Sequence, residues 1–230
     1  MVVSGQAPAL DRRGERGPRA RMQKVMRDTA IRLMQGGQVP SVSDVAEAAE
    51  VSRATAYRYF PTQAAIIQAA VNEALGPILE WSSDSDDARE RVLDLVESAL
   101  PRLFRHEATH RAALRLALEQ WARRQSGLAA PETRVVRGNR KALLAEAAEP
   151  MRRHTSRQTF EKLLQSLSLL FGVEAIIVLK DIWGLDEEQA RGVVLWATAA
   201  LIEAAESEAP APRRAAVKSR SAVAPRRARK

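Results

Sequence analysis

The 230-residue chain has no cysteine. A disulfide framework and a thiolate metal cluster are therefore excluded, and a reducing cytoplasm is the simplest home. Its first residues lack the apolar stretch that a secretory signal needs, carrying Arg12, Arg13 and Arg16 among Gly and Pro instead. An uninterrupted apolar run is also missing: the longest, Leu163 to Leu179, is broken by Gln165, Ser166, Ser168 and Glu174. A carboxylate at mid-bilayer costs about 2.5–3.5 kcal/mol, so no membrane partner is expected. Nor does any segment show the period-two alternation of a half-buried strand.

What the chain does contain is helical periodicity and basic charge. Hydrophobic residues make up 46% of it, enough for a real core, and the net charge is +8. Residues 209–230 alone hold eight basic groups and no acid, residues 1–60 are at +4, and residues 61–208 are at −4. The positive field thus sits at the two ends, which suggests a polyanionic partner. The segments 1–17 and 209–230, rich in Pro, Ala, Gly and Arg, cannot bury enough surface to offset chain entropy and are expected to be disordered.

Between them the pattern predicts an all-α fold. A first helix is expected over 19–35, with Val25, Met26, Ala30, Leu33 and Met34 on one side and Gly36-Gly37 ending it. Ser41-Val42-Ser43-Asp44 reads as a capping box, followed by a narrow stripe of Val42, Val45, Ala46 and Ala49. Ser52 can cap a third short helix ending at Tyr59. Further helices are predicted near 62–80, 87–104, 107–124, 133–149, 157–182 and 187–206, with Pro131, Pro150 and Gly184-Leu185-Asp186 punctuating them. The stretch 163–182 is apolar nearly all round, so one face must meet the core and another something equally dry; a helix of a second copy fits.

Two short capped helices joined by a tight turn, the second bearing Arg53, Thr55, Tyr57 and Arg58, have the form of a helix-turn-helix. Ala46, Ala49 and Ala56 would let the pair cross closely, Val51 would plug the turn, and Phe60 would anchor the second helix. The segment Ser41 to Gln63, SVSDVAEAAEVSRATAYRYFPTQ, resembles the DNA-binding signature of the tetracycline-repressor (TetR) family of bacterial regulators, with register agreement over about residues 18–80. The resemblance implies a three-helix DNA-binding head at 18–80, a helical effector-binding and dimerisation body at 81–208, and a homodimer docked through its last two long helices. Phe160 to Ile202 resembles that dimer region.

Carried over position by position, the resemblance makes Ser52, Arg53, Ala54, Thr55, Tyr57, Arg58 and Tyr59 the DNA-facing residues, with Ser41 as a phosphate contact. Arg53 and Arg58 can donate bidentately to guanine, Thr55 and Ala54 can meet a base edge or thymine methyl, and Tyr57 and Ser52 suit phosphates. Two positions depart from the family pattern. The turn glycine is Glu50, so either its backbone avoids φ > 0 or it accepts about 1 kcal/mol of strain. The phosphate-binding lysine is Gln63, which brings no charge and shifts backbone affinity towards Arg12, Arg13, Arg16, Arg19 and Arg21.

Other clusters compete for attention. His106-Glu107-Ala108-Thr109-His110 spells the H-E-x-x-H zinc pattern, but the extended form fails at Ala113 and Leu116, only Glu132 stands at a third-ligand distance, and Arg105 and Arg111 oppose a cation. A helix-end surface segment is the plainer reading, and a zinc hydrolase the rival one. Asp84, Asp86 and Asp87 suit helix capping better than a calcium loop. Phe104, Trp121, Phe160, Phe171 and Trp183 could be plain core, with Phe104, Trp121 and Phe171 taken as candidate effector-pocket residues; Glu174, alone in an apolar helix, is a candidate for a ligand or cross-dimer hydrogen bond. The expectation is a cytoplasmic, nucleoid-associated homodimer without cofactor or metal. It would bind a double-stranded operator as a repressor released by a small molecule, whereas a DNA-coating protein driven by its basic tail is the non-specific alternative.

Overall fold

The computed structural model describes residues 17–127 and 139–208. The basic arm as far as residue 16, the basic tail 209–230, Pro131, Glu132 and the first part, 133–138, of the helix expected over 133–149 lie outside the described residues. Every regular element among the described residues is helical, as the periodicity predicts.

Helix α1 (Pro18–Gln35) opens on a proline, whose fixed φ suits a first turn, and buries Met26, Ala30 and Met34. Val25, expected on that face, is instead 47% exposed, because the buried stripe advances by fours from Met26. Helix α2 (Val42–Ala48) starts with the expected capping box: the Asp44 amide donates to Ser41 Oγ at 3.1 Å and the Ser41 amide to Asp44 Oδ2 at 2.8 Å. Helix α3 (Arg53–Tyr59) follows from a Ser52 cap, and α4 (Gln63–Leu75) from a Thr62 cap. The helix expected to run to residue 80 stops being α-helical at Leu75. Gly76 turns to φ 44, and a tighter turn over Gly76–Glu80 continues the path. The Arg102 guanidinium lies against Gly76 and donates to the Glu73 carbonyl at 2.7 Å, occupying the space a side chain at 76 would need.

The body consists of α5 (Ala88–Arg105), capped by Asp87 as its acidic loop suggested, α6 (Glu107–Gln125), α7 (Asn139–Ala147), α8 (Arg157–Leu170), α9 (Val173–Ile176) and α10 (Glu187–Ser207). Pro150 lies in a tight turn over Glu149–Arg153. The capping box at Asp186 and Gln189 forms as predicted.

A second predicted element also differs. Residues 157–182 are not a single helix: the chain bends by 52° between Leu170 and Val173. It passes through Gly172 at φ 154 and then, after α9, widens into a π-helical turn over Ile177–Ile182. Arg140 of α7 braces the bend. Its guanidinium donates to the Ser168 carbonyl at 2.8 Å and to both Glu174 oxygens at 3.0 and 2.8 Å, so it meets an end carbonyl of α8 and leaves no room for a β-carbon at 172.

Two apolar clusters hold the molecule. The first lies among α5, α7, α8 and α10 around Leu95, Leu100, Leu144, Leu167 and Ile202. The second gathers Met26, Met34, Val45, Phe60, Ile66 and Ile67 of the N-terminal helices together with Ala112, Ala113 and Leu116 of α6. Helix α6 therefore packs against both the N-terminal helices and α5 and α9 of the body.

Candidate nucleic-acid interface

Helix α3 is too short to be stable alone, so what fixes it is its mounting. Ala46 of α2 and Ala56 of α3 are fully buried, and having no side chain beyond Cβ they let the two helices cross closely. Val51 is half-buried in the turn and Phe60 is buried just past the end of α3. Glu50 takes φ 56, so the chain accepts the left-handed conformation where glycine is the easier residue. Two amide bonds close that turn, Glu50 N to Glu47 O at 3.1 Å and Val51 N to Ala46 O at 2.9 Å.

Only Ala56 of α3 is buried, which leaves the opposite face bare. Ser52, Arg53, Ala54, Tyr57 and Arg58 are exposed there together, and Thr55 and Tyr59 flank them half-buried. The Ser52 hydroxyl accepts from the Thr55 amide at 3.2 Å and donates to Thr55 Oγ1 at 2.9 Å, so these two residues hold the helix start. Arg53 has no hydrogen bond or ion pair among the described residues. Arg58 lies 5.5 Å and Arg19 of α1 5.9 Å from the centre of the Tyr59 ring, stacking two cations on one aromatic plate at the edge of the face. The Tyr57 hydroxyl lies 3.4 Å from Ser43 Oγ of α2; Ser43 belongs to this surface although the sequence pattern does not single it out, its only signal being its place inside the capping box.

Two of the expected contacts have partners within the chain. The Ser41 hydroxyl accepts the Asp44 amide in its capping box, and its proton stays free to donate. Gln63 does not replace the family's lysine as a free outward group: its amide nitrogen donates to the Val39 and Pro40 carbonyls at 3.1 and 3.3 Å, tying the loop before α2 to the start of α4.

Residues 27–70 match the family described as bacterial regulatory proteins, tetR family. The head is similar to that of TetR-family regulators. The matched segment spans α2 and α3, so the likeness falls on the candidate interface. A crystal structure of a TetR transcriptional regulator from Rhodococcus sp. RHA1 resembles it with a TM-score of 0.53 at 19% identity, over 79% of this chain and 96% of that one, a likeness of fold. No curated protein matches the chain.

Behind the TetR-type head, a cavity of about 80 Å³ opens between α4, α5, α6, α7 and the α8–α9 bend. Of the residues expected in a pocket, Phe171 lines it, and Glu174 stands behind it through Arg140. Phe104 is buried but lies outside the lining, with the Lys180 ammonium 5.8 Å from its ring centre. Trp121 is 55% exposed on α6 and lines nothing there.

The H-E-x-x-H segment is not the surface feature expected of it. Thr109 and His110 are buried, and His110 lines the cavity. No cluster of three or more His, Cys, Asp or Glu residues able to hold a metal exists among the described residues. Burial pushes the Glu107 carboxyl up, but hydrogen bonds from Lys180 at 2.6 Å and Arg111 at 2.7 Å outweigh it and hold the group below its ordinary range. Arg111 also grips both oxygens of Asp181 at 2.7 Å, so Glu107 anchors α6 to the π-helical turn. Among the described residues no single helix is long and apolar enough to cross a membrane; only the bent pair Arg157–Leu170 and Val173–Ile182 passes together, by length and composition alone.

Proposed function

We propose that the chain is a homodimeric repressor, cytoplasmic and nucleoid-associated, that reads a near-palindromic operator through α3 and lets go when a small molecule occupies its body. The observation that carries this reading is the bare outer face of α3, where Arg53 is unpaired among the described residues and is mounted on a buried inner face. Arg53 and Arg58 would read guanine, Ala54 and Thr55 a neighbouring base edge, and Ser52 and Tyr57 phosphates, with Ser41, Tyr59 and Gln63 supporting from the rim. The head comprises 18–80 and the effector-binding and dimerisation body 81–208.

Dimerisation is supported by large apolar side chains that one copy leaves uncovered. Leu169, Ile182, Trp183 and Trp196 are each more than 70% exposed on α8, the π-helical turn and α10. Apolar surface of this kind on a soluble chain marks an interface. Two copies joined there would carry their α3 helices to successive major grooves, about 34–36 Å apart. Effector control is supported by the cavity, since Val71 and Leu75 of its lining belong to α4, the helix on which the head is built. Any change in α4 shifts the population of operator-compatible spacings.

Selection of bound sequences from a random duplex pool tests the reading. Enrichment of two inverted half-sites about one helical turn apart is the expected result; a pool that emerges unselected overturns it.

A further inference from the structure

The cavity wall is mostly hydrocarbon, from Val71, Leu75, Leu103, Leu143 and Phe171 among others, and its charged member is already satisfied. Arg140 binds the Glu174 carboxylate through both oxygens and the Ser168 carbonyl, so it offers little to a guest. His110 differs. It is only 8% exposed, and its Nε2 has no hydrogen-bond partner among the described residues. A buried polar atom left in that condition destabilises the fold. Burial, helped by the charges of His106 and Arg140, holds its pKa at about 4, so the ring is neutral near pH 7 and presents no cation to an anionic guest.

We propose that this cavity takes a small uncharged ligand, a mostly hydrocarbon ring or chain bearing one hydroxyl, and that Nε2 of His110 is the atom that recognises the hydroxyl. A hydroxyl fits either imidazole tautomer because it both donates and accepts. A carboxylate would shed its water beside a neutral ring and a guanidinium already paired, without compensation. A pure hydrocarbon would leave Nε2 as it is. Size adds a consequence that rests on the effector reading given above. An apolar cavity of about 150 Å³ accommodates benzene, and this one, at about 80 Å³, is smaller. A phenol-sized guest must therefore push its walls apart, and two of those wall residues lie on α4.

Calorimetric titration of the full chain with phenol, toluene and benzoate tests the proposal. The wild type should bind phenol about tenfold more tightly than toluene, the worth of one net hydrogen bond, and should not bind benzoate. His110→Leu should lose the preference for phenol over toluene and melt no lower than the wild type, and His110→Gln should keep a preference for phenol. Benzoate binding as well as phenol, a preference for phenol that survives in His110→Leu, or no binding of any of the three overturns it. Operator affinity measured alongside separates the two readings. Phenol bound through His110 with operator affinity unchanged refutes effector control and leaves the site standing, whereas operator release by phenol that is unaltered in His110→Leu refutes the site alone.

Discussion

Arg53 and Glu50 lie three positions apart and face opposite demands. Arg53 needs freedom, and its lack of partners among the described residues preserves it. Glu50 sits where the backbone must turn left-handed, φ 56, with a β-carbon that resists the turn. Replacing it with glycine relieves that strain: Glu50→Gly is expected to raise unfolding stability by about 0.5–1 kcal/mol in urea denaturation. An unchanged or lower midpoint would mean that the Glu50 side chain itself contributes. His110 ties the stability of the fold to pH. Its folded pKa is about 4 against 6.5 for the free side chain, with His106, Arg140 and Glu174 as the charges that face it. The unfolded chain therefore takes up the proton first as pH falls. The stability tied to His110 is intact above about pH 6.5 and drains away between there and pH 4, by about 3 kcal/mol. His106 is shifted in the same direction. Melts across that window should show the slope in the wild type and much less of it in His110→Leu; equal slopes would place the cause elsewhere.

At the scale of elements, what could be read from the sequence was what neighbouring residues decide. The caps at Ser41, Ser52, Asp87 and Asp186 are bonds between residues two or three apart, and each formed as its spacing indicates. The break at Gly172 was not visible, because Arg140, which braces it, lies 34 positions before its partner Glu174 and touches the bend only after folding. Apolar periodicity runs through Phe171 without interruption, and a lone glycine in such a run does not by itself mark a break. The direction of Gln63 and the burial of His110 were hidden for the same reason: each is set by an element distant in sequence. Gly172→Ala should show how strictly the bend is held. Its β-carbon would come within 2.9 Å of the Arg140 guanidinium, at a φ that side chains rarely adopt. A loss of about 1–3 kcal/mol in stability is expected, and a variant that melts like the wild type would show that the bend tolerates a side chain.

For the whole molecule, the proposed function requires two heads held at a fixed distance, which α4 to α10 would set. Trp196, 74% exposed on α10, should lie at the centre of the joint between copies. Trp196→Glu would place a charge in a dry interface, so sedimentation should find monomers with unchanged helical content. A dimer that persists would move the interface to another face. The heads then decide what is bound. The most direct measurement is the ratio of affinities for the selected operator and for random duplex at one salt concentration, in the wild type and in Arg53→Ala. The expected result is a loss of about 1–3 kcal/mol on the operator, one base position relaxed, and little change on random DNA; equal losses on both would contradict the assignment of α3 as the reading surface.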